Sequence, residues 1–123
     1  MRAAIYRAKG AASEVLRVET IADGEPELGE VGISVAYSGV NPSDVKSRAG
    51  TANPAMDYSA VVPHSDGAGT IDALGPLVIS RRVGKRGWWF NAQGGRALGT
   101  AAELVPLPAQ QAVALPAPVP FAV

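Results

Sequence analysis

The run Asp66 to Gly75, DGAGTIDALG, decides between two fold classes. A dinucleotide-binding turn needs G-x-G-x-x-G between a strand and a helix. Here Gly67-Ala-Gly69-Thr-Ile is followed by Asp72, so the last glycine is missing, and the run continues as strand rather than helix. The glycines therefore read as points of close backbone approach or a bulge. Working outward, Ile33, Val35 and Tyr37 alternate with Ser34, Ala36 and Ser38, the pattern of a half-buried strand. Ala3 to Ile5 and Val15 to Val18 read as short strands across a turn at Gly10 to Ala12. Trp88 to Phe90, Ala101 to Val105 and Ala112 to Leu115 complete about seven strands. One helix start stands out: Asn41 as N-cap, Pro42 at the first helical position and Asp44 at the third, with Gly50 as the stop.

Composition agrees. The 123 residues include 14 Gly and 10 Pro, nearly a fifth of the chain, a density that helix bundles do not tolerate. The expected class is mainly β, a barrel or sandwich with one or two short helices. Eleven basic and 11 acidic side chains give a net charge of zero, which lacks the electrostatic footprint of a nucleic-acid binder. No apolar stretch approaches the ~20 residues that span a bilayer. The start, MRAAIYRAKG, has no apolar core of signal-peptide length, so a cytoplasmic protein is expected. Without Cys there is no disulfide and no thiolate ligand or nucleophile.

His64-Ser65-Asp66 contains the parts of a hydrolytic triad, but three consecutive side chains cannot converge on one hydrogen-bond line. A lone His with scattered carboxylates does not make a zinc site. Asn41 and Asp44 have a structural use as cap and capping partner, and a functional use remains open beside it. Arg81, Arg82, Lys85 and Arg86 form a basic run that reads as a solvated turn, with an anion contact as the other reading. Trp88 and Trp89 read as core and rim of a barrel rather than a stacking platform.

Four ordered segments carry a further signal: GVNPSDVKSRAG (Gly39 to Gly50), VPHSDGAGTIDALG (Val62 to Gly75), VGKRGWWFNAQ (Val83 to Gln93) and GTAAELVPLPAQQAVALP (Gly99 to Pro116). Together they resemble the zinc-free quinone oxidoreductase, or zeta-crystallin-like, branch of the medium-chain dehydrogenase/reductases. The resemblance implies a GroES-like partly open β-barrel over residues 1–116, with 117–123 starting the connection to a Rossmann domain absent from this sequence. In the zinc enzymes of the superfamily a Cys stands at Asn41, a His at Ser65 and a Glu at Asp66, so the resemblance implies no metal; His64 falls on a position that is usually Gly. It implies NADPH as cofactor and hydride transfer to a small quinone or conjugated carbonyl. Asn41 and Asp44 are then the candidate catalytic residues, and with Lys46 they line the cofactor; Ser65 and Asn91 face the substrate. Relatives often carry aromatics at Lys46 and Ala52, which leaves Lys46 either a salt bridge or a phosphate contact. As an isolated chain the domain is expected to be inactive, its Rossmann partner to come in cis or in trans, and its uncovered face to favour a homodimer. A different reading is a stand-alone GroES-like binding or assembly module without catalysis.

Overall fold

The computed structural model of the chain describes residues 1–79 and 82–122. Arg81 of the basic run lies outside the described residues. The elements run β1 (Arg2–Ile5), α1 (Ala12–Val15), β2 (Arg17–Thr20), β3 (Glu30–Ser38), α2 (Pro42–Ala49), β4 (Gly67–Leu74), β5 (Arg86–Trp89), β6 (Leu104–Pro108), a 3-10 turn (Ala109–Gln111) and β7 (Ala112–Ala114). The fold is mainly β: five antiparallel strands in the order β6-β3-β4-β5-β7 curl into a half-barrel, and β1-β2 form a separate two-stranded ribbon. Isolated bridges Ala3–Ala102, Tyr6–Val61 and Val62–Leu98 tie the ribbon and the loops to the barrel wall. Among the described residues no helix is long and apolar enough to cross a membrane.

The main core lies inside the curled sheet, where Val31, Ile33, Ile71, Trp89, Val105 and Leu107 are buried together. A smaller cluster, Ala3, Ile5 and Val62, sits under the ribbon with Ile21 and Leu98 packed on it. Consecutive strand residues do divide between core and rim, but in the reverse of the expected order: Trp89 is fully buried and Trp88 is exposed.

Three local expectations shift. Val15 and Leu16 close a single helical turn, their N–H groups donating to Ala11 and Ala12 carbonyls at 3.0 Å, so β2 begins only at Arg17. Tyr37 does not alternate inward; it is exposed. The register slips between Val35 and Tyr37, which pair with the adjacent Gly69 and Ala68, so Ala36 is the extra residue of a bulge that resets the inward face. The strand near Ala101 begins later, at Leu104, and carries Pro106 and Pro108, which an edge strand accommodates.

The Gly67-Ala-Gly69 run is explained by the same bulge. A Cβ on Gly69 would overlap the Ser34 carbonyl oxygen, and one on Gly67 would overlap that of Tyr37. These glycines let two strands close on each other.

Candidate active-site cleft

The helix α2 follows its sequence signals. Asn41 is its extended N-cap, Pro42 opens it, and Gly50 ends it at φ 79, in the left-handed region that glycine accepts without strain. The Asp44 carboxylate accepts the Asn41 backbone N–H at 2.7 Å, one arm of a capping box. The Asn41 side chain is used across the fold: its Nδ2 donates to Asp66 Oδ1 at 2.7 Å. Asp66 in turn is pressed against Gly39, whose N–H donates to the Asp66 carbonyl at 2.9 Å and whose missing Cβ leaves room for the carboxylate. Asn41 and Asp44, capping residues, are therefore also the hinge between α2 and the start of β4.

A polar cleft of about 250 Å³ opens beside this hinge. Asp44, Ser65 and Asn91, all singled out from sequence, meet in it. Ser65 is held by its carbonyl, which accepts the Ala92 N–H at 2.8 Å, so the segments carrying Ser65 and Asn91 are stitched together. Asn91 sits at φ 53, and its amide lies over Gly94, where a Cβ would collide with it. Asn41 does not line the cleft; it stands one hydrogen bond behind Asp44. Lys46 is exposed and does not line the cleft either. Two residues on from Asp44, it points roughly 200° around the helix, whereas Ser43 and Ser47 share the Asp44 side and do line the cleft.

Sequence reasoning missed Tyr6, Tyr58 and Arg96, which also line the cleft. Tyr6 is only 2 % exposed, held by reciprocal backbone bonds with Val61 at 2.9 and 3.0 Å. No local pattern marks it, because its partner is 55 positions away in sequence. Arg96 pairs with Glu30, bonds its Oε1 and also donates to the Pro106 carbonyl at 3.0 Å. Burial pushes the Glu30 carboxyl up, but the Arg96 hydrogen bond, the Glu27 N–H and the Arg96 charge together hold it below its ordinary value. The pair fastens the turn that carries Asn91 to the start of β3.

Among the described members of the basic run Lys85 is exposed, as a solvated turn would have it, whereas Arg82 and Arg86 are half-buried and spend their guanidinium groups on backbone carbonyls. Arg82 donates to the carbonyls of Ala109 and Ala112. Arg86 donates to those of Ala117 (2.8 Å) and Val119 (2.6 Å), and its guanidinium lies 4.2 Å from the centre of the Phe121 ring. Both are clamps on the C-terminal segment. A larger groove, about 640 Å³, is lined on one side by Trp88, Phe90 and Phe121 and on the other by Ser38, Gly39 and Asp66. The smaller cleft is the better candidate site because polar groups from four separate segments converge on it. Among the described residues no three His, Cys, Asp or Glu side chains are grouped as a metal ion would require.

The alcohol dehydrogenase GroES-like domain family matches residues 27–117. The fold superposes on that of a human synaptic vesicle membrane protein VAT-1 homolog-like protein with a TM-score of 0.84 at 29% identity, covering 98% of this chain and 37% of that one. A mycobacterial protein in complex with NADPH gives 0.84 at 28% identity, with 98% and 35% covered. A Pseudomonas syringae quinone oxidoreductase gives 0.84 at 26% identity, again with 98% and 35% covered. No curated protein sequence matches. The chain thus spans little more than a third of the length of these structures.

Proposed function

Because the chain belongs to the alcohol dehydrogenase GroES-like domain family, we propose that it is the acceptor-binding domain of an NADPH-dependent, zinc-independent quinone oxidoreductase. Residues 1–116 form the domain in this reading, and 117–123 lead towards a nucleotide-binding domain supplied by other sequence, in cis or in trans. The observation that carries the reading is the convergence of Asp44, Ser65 and Asn91 on one cleft braced by Asn41. Likeness to a protein solved with NADPH and to a quinone oxidoreductase supports it.

The cleft fits part of a dinucleotide and not the whole. At about 250 Å³ it falls below the roughly 300–1,000 Å³ of pockets that enclose drug-sized ligands, so it suits a single ring. The chemistry that NADPH supplies when bound is hydride for the acceptor's carbonyl system. The chain's own residues orient and hold. Asp44, fixed by the Asn41 N–H, offers its carboxylate as an acceptor on the nicotinamide side. Ser65 and Asn91 offer a hydroxyl and an amide to the oxygen of the quinone or enone. Asn41 keeps Asp44 and Asp66 in register. Ser65 and Asn41, rather than a His and a Cys, are poor zinc ligands, which supports hydride transfer by proximity alone. Lys46 has no part in this reading, since its side chain lies on the other side of α2.

The test is titration of the 123-residue chain with menadione and, separately, with NADPH, followed by amide NMR. The expected result is shifts confined to Asn41, Asp44, Ser65, Asn91 and their neighbours, with only millimolar binding of NADPH and background NADPH oxidation. Micromolar NADPH binding or enzyme-like oxidation by this chain alone would overturn the division of labour. Shifts confined to the groove around Trp88 and Phe121 would move the site.

A further inference from the structure

His64 occupies a backbone conformation that L-residues seldom adopt, φ 78. Its ring does not line the cleft but is joined in a hydrogen-bonded chain, through half-buried Ser38, to the hydroxyl of buried Thr100. His64 Nδ1 lies 2.8 Å from Ser38 Oγ, and Ser38 Oγ lies 2.8 Å from Thr100 Oγ1. Thr100 Oγ1 lies 3.0 Å from the Asp66 carbonyl oxygen. Thr100 is fully buried, so water cannot relieve a mismatch there.

Proton counting fixes the direction of every bond in this chain. The Asp66 carbonyl can only accept, so Thr100 must spend its single hydroxyl proton on it. Thr100 then has no proton for Ser38, and Ser38 must donate to Thr100. Ser38 in turn has none left for the ring, so His64 Nδ1 must be the donor. Any other assignment sets two acceptors face to face at 2.8–3.0 Å, fully buried at Thr100 and half-buried at Ser38, at a cost of the order of a lost hydrogen bond. The Asp66 carbonyl is saturated, since it also takes the Gly39 N–H at 2.9 Å.

We infer that His64 is held as the Nδ1–H tautomer and acts as a positioning residue, setting the peptide of Asp66 and through it the Asp66–Asn41–Asp44 brace of the cleft. The chain is not a proton relay into the cleft, because it ends on a carbonyl that has no proton to pass on. His64 also lends rigidity at both ends: its own carbonyl accepts the Thr100 N–H at 3.0 Å, and a Cβ on Gly99 would overlap it. Only the naming of what is positioned rests on the cleft reading; the tautomer follows from the bonds alone.

The experiment is nitrogen-detected histidine NMR on the full chain, which has one His, with Asn41 side-chain amide shifts and Gly39 amide exchange read alongside. The expected spectrum has Nδ1 protonated and Nε2 bare when the ring is neutral. His64→Gly preserves the backbone conformation and removes the donor; it should move the Asn41 amide resonances and speed Gly39 exchange about five- to tenfold, the factor of roughly one net hydrogen bond. His64→Asn tolerates the same φ and returns a donor, so it should restore both readouts. His64→Asp tolerates the φ but offers only an acceptor when ionised, and it should not restore them. If a His64 variant does not fold, Ser38→Ala cuts the same chain with the ring retained and should release the ring to the Nε2–H form. A wild-type ring protonated at Nε2, or rescue by Asp, overturns the assigned polarity. Unmoved Asn41 and Gly39 signals in His64→Gly overturn the positioning role. No readout involves cofactor or acceptor, so failure here is distinct from failure of the quinone oxidoreductase reading.

Discussion

Replacing Arg96 with Met keeps most of the aliphatic stem and removes the charge that faces Glu30. In the folded chain the Glu30 side chain is 12% exposed and that of Arg96 26%, so the pair lies between two limits. Exposed pairs contribute about 0–1 kcal/mol, while stranding one partner of a buried pair costs about 3–5 kcal/mol. Glu30 would keep one hydrogen bond, the Glu27 N–H at 3.0 Å, and Arg96 would lose its bond to the Pro106 carbonyl as well. The expected loss is about 2 kcal/mol at neutral pH, or a urea midpoint lower by about 1 M at an unchanged slope. The sign of the pH dependence follows from Glu30, whose carboxyl is held below its ordinary value of 4.5 in the folded chain. Its contribution is therefore full above that value and disappears as pH falls through the lower, folded value. The gap between wild type and Arg96→Met should be constant at neutral pH and close under acid conditions. Adding Glu30→Gln to Arg96→Met should recover stability, because the stranded charge is the main cost. A loss under about 0.5 kcal/mol, a gap that survives acid, or a double variant less stable than Arg96→Met would refute the reasoning.

Gly69→Ala should abolish native folding or cost several kcal/mol in a thermal melt, because the new Cβ would run into the Ser34 carbonyl and crowd the Ala36 N on the facing strand. Gly29→Ala, at φ 75 in open space, should cost only about 1–2 kcal/mol. Trp89→Ala should cost about 3–5 kcal/mol by urea unfolding, whereas Trp88→Ala, at a side chain 42% exposed, should cost under about 1 kcal/mol. Arg86→Met should leave the melting transition nearly in place and speed limited proteolysis within residues 116–122, which lose three carbonyl bonds and the Phe121 contact.

What could be read in the sequence was what lies within a few residues. Asn41, Pro42 and Asp44 spell a helix start because the bonds of a capping box span three positions, and the structure contains that arm of it. The alternation of β3 was legible as far as Val35 and failed at Tyr37, because a bulge inserts one residue without altering composition. The basic run was legible at exposed Lys85 but not at its described arginines, for a related reason. Charge on a turn looks solvated in a string of letters, yet Arg82 and Arg86 find carbonyls roughly thirty residues away.

The cleft shows the limit most clearly. The resemblance offered Asn41, Asp44, Lys46, Ser65 and Asn91; of these Asp44, Ser65 and Asn91 line one cleft, Asn41 stands behind it, and Lys46 points away around α2. Tyr6 and Arg96 carry no motif at all. Each reaches the cleft through a contact between distant segments, Tyr6 with Val61 and Arg96 with Glu30. The site is therefore made by closure of the barrel, and its brace runs Asp44–Asn41–Asp66 between two segments 25 residues apart. A variant that loosens closure, such as Arg96→Met, should therefore weaken acceptor binding even though Arg96 is not among the residues offered to the acceptor. Asn41→Ala should weaken it by freeing Asp44 directly. Menadione shifts at Asn91 separate the two: Arg96→Met disturbs them through the turn at 91–96, and Asn41→Ala leaves them in place.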